Sequence, residues 1–297
     1  MARTLSIAVK SYPHTTFLAE PGFTAGGHGV ELAGLNPIYQ AFAPMVREQR
    51  FDVSELAIAT YLQAREAGAP ISLLPLALSG DFHHHSLTRW PGTPEIAPAD
   101  LIGKRVGVRA YSQTTGLWVR GILHEEFGVD AKDITWVTTE EPHVAEYVEP
   151  PNVERTTGKV LDLLERGEVT AAVLGPPALD GAQGPLVPII PDWREAEEAW
   201  GARHNTVPIN HMLTVRRDLL EAEPGTVSEL YQAFAKQIET RKAGETGSRV
   251  RALRAGVTDE LVAGLQVAID YALQQNVIRT PVTVAELLAD FTRYCPR

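Results

Sequence analysis

Apolar residues in this chain fall into two alternating patterns. Short runs of strand length include TLSIAVKSY (4–12), GVELAGL (29–35), the start of FDVSEL (51–56), ISLLPLALS (71–79), RVGVRA (105–110) and the run through TAAVLG (170–175). ISLLPLALS is apolar throughout, as expected of a strand covered on both faces. Between these runs the spacing changes to that of helices. In NPIYQAFAPMVREQRFD, Ile38, Phe42, Met45 and Val46 share one face, Pro37 takes the first helical position, and Pro44 is expected to kink or restart the helix. FDVSELAIATYLQAREAGAP reads as a strand running into a helix that stops at Gly68. RVGVRA meets the polar turn YSQTT and then a helix from about Ser112 to Phe127. GKVLDLLERGEVTAAVLGPP (158–177) is helix, turn, strand and loop, and HNTVPINHMLTVRRDLL (204–220) holds a strand that turns into a helix. The last third is helical, with Thr226/Glu229 and Thr283/Glu286 at capping-box spacing.

Strands alternating with helices predict an α/β fold with mostly parallel sheets. Such sheets bind ligands beyond the carboxyl ends of their strands. Those ends are SEL (54–56), SGDFHHHS (79–86), YSQTT (111–115) and GPP (175–177), and two facing lobes would bring all four to one cleft.

Composition narrows the function classes. The 297 residues carry a net charge of -10 with 44% hydrophobic and 22% charged residues, and no basic stripe interleaved with aromatics, which disfavours a nucleic-acid binder. No run approaches the roughly 18 apolar residues of a membrane span, and MARTLSIAVKSYPH lacks the h-region of a secretory signal. With a single cysteine, Cys295, no disulfide closes within the chain. A cytoplasmic protein with no membrane and no nucleic-acid partner is the expectation, and homo-oligomer formation is left open.

Six segments, FDVSEL, FHHHS, DLIGKRVGV, TTGLWVRGIL, PDWREAEEAW and VPINHMLTVRRDL, stand in the order and rough spacing of the 4,5-dihydroxyphthalate decarboxylase family, which this chain resembles over about residues 50–235. The resemblance implies a two-lobed fold like that of type 2 periplasmic binding proteins, with an interlobe ligand cleft and a helical C-terminus. Lobe 1 would be 1–88 plus 210–297, and lobe 2 would be 89–209. It also implies a carboxy-lyase that acts on a small hydroxylated aromatic carboxylate, dihydroxyphthalate-like or dihydroxybenzoate-like. The family's pattern at the triplet is approximately Phe-Arg-His-Ser. Here Phe82 and His84 match, while His83 replaces the arginine and His85 the serine, which changes how a second ring carboxylate would be gripped.

Decarboxylation of an electron-rich ring needs a proton donor, a carboxylate seat and oriented hydroxyls; the ring is its own electron sink, so no organic cofactor is required. His84 is the first candidate donor, since imidazole titrates near neutrality, against a plain hydrogen-bonded histidine at a strand end. His211, on the expected return strand, is a second acid–base candidate. Glu55 either takes a hydroxyl proton, orients His84 or merely starts a helix, and Ser54 beside it follows the same strand. Ser112, Gln113, Thr114 and Thr115 form either a carboxylate seat at a helix start or a simple cap by Ser112. Arg120 either clamps the substrate or pairs with an acid such as Glu55 or Glu140. Trp118 reads as core and His28, in AGGHG, as loop. In an extended chain His83 and His85 point to one side and His84 to the other. A divalent metal would sit on His83 and His85, completed through folding by His211 and Glu55; no His-Glu-x-x-His or Cys-x-x-Cys occurs. The competing function is a solute-binding protein for a small carboxylate or aromatic anion.

Overall fold

Two mixed β-sheets organise the computed structural model, which describes residues 2–175 and 186–295. The strands are β1 (Thr4–Ala8), β2 (Thr24–Ala25), β3 (His28–Leu32), β4 (Val53–Ala57), β5 (Ile71–Gly80), β6 (Leu87–Arg89), β7 (Arg105–Val108), β8 (Thr135–Thr138), β9 (Val153–Arg155), β10 (Ala171–Val173), β11 (Val187–Pro188), β12 (Ile209–Arg216) and β13 (Arg254–Ala255). The first sheet runs β13-β5-β12-β4-β1-β3-β2 and the second β11-β6-β10-β7-β8-β9. The expected parallel ladders are β3-β1-β4 and β10-β7-β8-β9. β12 enters antiparallel between β4 and β5, because the chain returns from the second sheet to the first through it. β5 is apolar because both its faces are covered: Ile71, Leu73 and Ala77 join one buried cluster and Leu74, Leu76 and Leu78 the other.

Three helices set the site: α1 (Phe42–Glu48), α2 (Ile58–Glu66) and α3 (Thr114–Phe127). α1 does restart after a short 3-10 turn over Ile38–Ala41, which places Pro44 within the first turn of α1, where its missing N–H costs nothing. α2 follows β4 directly and ends before Gly68, whose φ of +77° suits glycine. α3 begins at Thr114 rather than Ser112. Gln113 is its N-cap, without a side-chain capping bond, and the 110–113 turn closes through Gln113 N–H to the Ala110 carbonyl at 3.0 Å.

Other boundaries also moved. The helix Pro224–Gly244 opens before Thr226, because Pro224 occupies its first turn. The Thr226 hydroxyl then donates to Glu223, and Glu229 accepts the Gly26 N–H at 2.6 Å instead of closing a box. The Thr283/Glu286 box forms as expected. His28 is not loop: it starts β3, its Nδ1 accepts the Arg3 N–H at 3.1 Å, and its Nε2 meets Glu223 at 2.6 Å. Of GPP, Pro176 and Pro177 lie outside the described residues.

The helix Asp259–Gln274 packs across both α2 and α3. Its approach to α3 depends on Gly121, where an added Cβ would sit 1.9 Å from Tyr271 Cδ2. Gly121→Ala is therefore expected to lower unfolding free energy by about 2–3 kcal/mol, because overpacking outweighs alanine's better helix propensity. Urea titration of both proteins checks this; an unchanged or raised midpoint would contradict the contact.

Candidate active site

The side chains that meet at the carboxyl end of β4 come from three separate stretches. Glu55 lies inside β4 and is fully buried. His211 lies on β12 opposite Ala57, the last residue of β4, and opposite Ser79 near the end of β5, where the ladder changes register. On the regular β12–β4 ladder Glu55 pairs with Leu213, two residues along from His211, so the two side chains share a face, and Nδ1 stands 2.6 Å from Oε1. Tyr12 donates its hydroxyl to the same oxygen at 2.8 Å, and the Lys10 N–H donates to the other oxygen at 2.9 Å. β1 stops at Ala8, so Lys10 and Tyr12 lie beyond the strand end and fold over the carboxylate.

Burial alone would raise the Glu55 pKa. The hydrogen bond and charge of His211, with the bonds from Lys10 and Tyr12, outweigh it and hold the carboxyl below its ordinary value. An ionised carboxylate has no proton to give, so Nδ1 of His211 is the donor. Burial, then the Glu55 charge, push Tyr12 well above the ordinary phenol range and keep it a donor.

Residues that follow strands of the second sheet contact α1 and α2 close by. The start of α3 meets the start of α2, where the Ala59 N–H donates to Thr114 Oγ1 at 3.3 Å. Arg109, just after β7, lays its guanidinium over the Tyr39 ring at 3.9 Å and pairs with Glu140 at 2.8 Å. His143 follows β8 and reaches across to Thr60 of α2, with 2.9 Å between Nδ1 and Oγ1. Phe42 meets His211 and His143 edge-on, at ring-centre distances of 5.2 and 5.5 Å. Lys10, Tyr12, Arg109 and His143 had not been singled out. They belong to no motif, and only β12's insertion and the loop after β8 bring them to Glu55 and His211.

The histidine triplet is split among three environments. His83 is buried, and its Nε2 meets Asn210 Oδ1 at 2.7 Å, so this residue adjoins the strand that carries His211. Burial pushes its pKa down to about 4. His84 has no exposure, and its Nε2 meets Glu126 at 3.2 Å while Nδ1 has no partner. Glu126 is near the far end of α3, twelve residues or about 18 Å along the helix from Thr114. His85 pairs through Nδ1 with Glu197 at 2.6 Å and packs on Trp193. His83 and His85 thus do not converge on one ligand position. Among the described residues no group of three or more His, Cys, Asp or Glu side chains is arranged to hold a metal ion.

Ser54 turns into the sheet and donates to the Glu55 carbonyl at 2.8 Å. Ser112 and Thr115 are buried beside Thr114, and Gln113 Oε1 is buried without a partner. Arg120 pairs with neither Glu55 nor Glu140. It folds back toward the start of α3, donates to the Tyr111 carbonyl and to Gln275 Oε1, both at 2.7 Å, and stacks on Tyr111. Its Nη1 has no partner, and burial pulls the guanidinium below its ordinary value. Trp118 is core, with its N–H on the Ile209 carbonyl at 3.0 Å.

No family model matches the chain. The 4,5-dihydroxyphthalate decarboxylase of Comamonas testosteroni is 28% identical to it over 270 residues, covering 82% of this chain and 78% of the relative. The enzyme of the same name from Pseudomonas putida is 29% identical over 196 residues, 62% of this chain and 71% of that one. The chain is thus similar in sequence to two 4,5-dihydroxyphthalate decarboxylases. Its fold is that of the aliphatic sulphonate binding protein SsuA from Escherichia coli, with a TM-score of 0.60, 14% identity and 98% of both chains covered. Among the described residues of this chain, no helix is long and apolar enough to cross a membrane.

Proposed function

We propose that the chain is a carboxy-lyase acting on a hydroxylated aromatic carboxylic acid, and that His211 carries the proton to the ring. The observation behind this reading is the 2.6 Å bond between His211 and the buried, ionised Glu55. Glu55 fixes the imidazole's orientation and tautomer and stabilises its protonated form. Nε2–H of that cation gives its proton to the ring carbon bearing the carboxylate, and a ring π pair forms the new C–H bond. The C–C bond to the carboxylate then breaks, its electron pair returns to the ring, CO2 leaves, and His211 recovers a proton from water. The starts of α2 and α3 offer backbone N–H groups of the kind that seat a carboxylate, and Arg120 adds buried positive charge one turn behind them. Ser112, Gln113 and Thr115 line that same turn. His84 serves this reading as a buried strut to Glu126, and His83 and His85 as its neighbours' anchors.

Incubating the purified protein with a panel of dihydroxyphthalates and dihydroxybenzoates while following CO2 tests the activity. His84→Asn in the same assay is expected to keep kcat within about threefold and to lower Tm, since it empties a buried bond. A loss of turnover comparable to that of a His211 variant would return the donor role to His84. The fold shared with SsuA favours one other reading, a solute-binding protein for a small aromatic anion. Tight binding without CO2 from every compound would decide for it.

A further inference from the structure

Taking the chain as an aromatic decarboxylase with His211 as proton carrier, we propose that His143 is a specificity-determining residue that hydrogen-bonds a ring hydroxyl of the substrate beside His211. The placement of His143 is built by several contacts, not by one. Its imidazole is tied to the buried Thr60 of α2 at 2.9 Å, although the residue itself belongs to the segment that follows β8 in the other sheet. Arg47 of α1 donates through Nε to the His143 carbonyl and through Nη2 to the Pro142 carbonyl, each at 2.8 Å, and so fixes the backbone that carries the ring. Phe42 then contacts both histidines, each edge-on to its ring, at interplanar angles of 86° for His211 and 90° for His143.

The two imidazoles differ in what they offer. His211 has a buried carboxylate behind it. His143 has none: its hydrogen-bonding partner is a hydroxyl, and the titratable groups near enough to act on it are Arg109, Arg47 and His211. Burial first, then those positive neighbours, push its pKa down to about 4, so the ring is neutral around pH 7. A neutral imidazole whose Nδ1 is engaged by Thr60 keeps Nε2 for a ligand. It suits a hydroxyl, which both donates and accepts, better than a carboxylate, for which helix starts and guanidinium groups stand nearby. A site that offers a buried polar group to a hydroxyl discriminates against the analogue lacking it, because the group is then left without a partner.

The test compares dissociation constants of a dihydroxybenzoate and its mono-deoxy analogues, measured by calorimetry. Binding is the right readout because a ring hydroxyl also changes intrinsic reactivity. Wild type is expected to prefer one hydroxylated acid over the matching deoxy acid by about 10–100-fold. His143→Phe is expected to shrink that ratio to about threefold or less, His143→Gln to retain much of it, and Thr60→Val to lower it in part, since the ring then loses its tether. Equal weakening of both ligands in His143→Phe, with the ratio preserved, would overturn the proposal. Thr60→Val provides the same comparison should His143→Phe fail to fold. CO2 release by wild type is read on the same samples: its absence would remove the decarboxylase reading while leaving the comparison of ratios intact.

Discussion

His211→Gln is expected to lower kcat for CO2 release by about 10²–10⁴-fold, the span that positioned acid–base groups contribute, with little change in KM. Glutamine retains a polar side chain near Glu55 but cannot carry and return a proton at neutral pH. The effect belongs in kcat because the proton moves only in the chemical step, whereas the carboxylate would be seated by the starts of α2 and α3 and not by the imidazole. Stopped assays of CO2 over a substrate series give both parameters. A rise in KM with kcat preserved would make His211 a binding group and would remove the proton-transfer role argued from its bond to Glu55.

Much of the architecture could be read along the chain, for physical reasons. Apolar runs of strand length and helices of 3.6 periodicity each must bury one face, so β4 with α2, β5, and β7 with α3 are legible from pattern alone. The site was legible only in pieces. Glu55 and His211 were visible as chemically able residues, and the structure joins them directly. The expectation that Glu55 orients His84 rested on both lying at strand ends expected to line one cleft; His84 instead meets Glu126, at the other end of α3. Tyr12, Lys10 and His143 carried no signal, because a backbone N–H, a phenol and a lone loop histidine become meaningful only through pairings more than 40 residues apart in sequence. Arg120 illustrates a further limit. Its position two turns into a helix suggested an acid partner, yet side chains on a helix lean toward its N-terminus, and the guanidinium ends on carbonyl oxygens behind the polar turn.

Glu55→Gln is expected to act on chemistry and stability together. In the wild-type protein one carboxylate oxygen accepts from His211 and Tyr12 and the other accepts from the Lys10 N–H. A glutamine NH2 placed at the second position sets donor against donor at Lys10. Placed at the first, it forces His211 to accept through Nδ1, which moves the imidazole proton to Nε2 and removes the charge that stabilised the cation. Either arrangement is expected to cost about 10²-fold or more in kcat. Removing the charged partner of buried hydrogen bonds also costs on the order of 3 kcal/mol at pH 7. The pH dependence has a definite sign. The folded pKa of Glu55 lies below its ordinary 4.5, so its contribution to stability is present above that value and is lost as pH falls through the folded pKa. Urea unfolding at pH 7 should therefore separate wild type from Glu55→Gln widely, and the gap should narrow as the pH is taken below about 4.5. A gap that stays constant down to strongly acid pH would mean that Glu55 is not held as a carboxylate, and the donor tautomer assigned to His211 would fall with it.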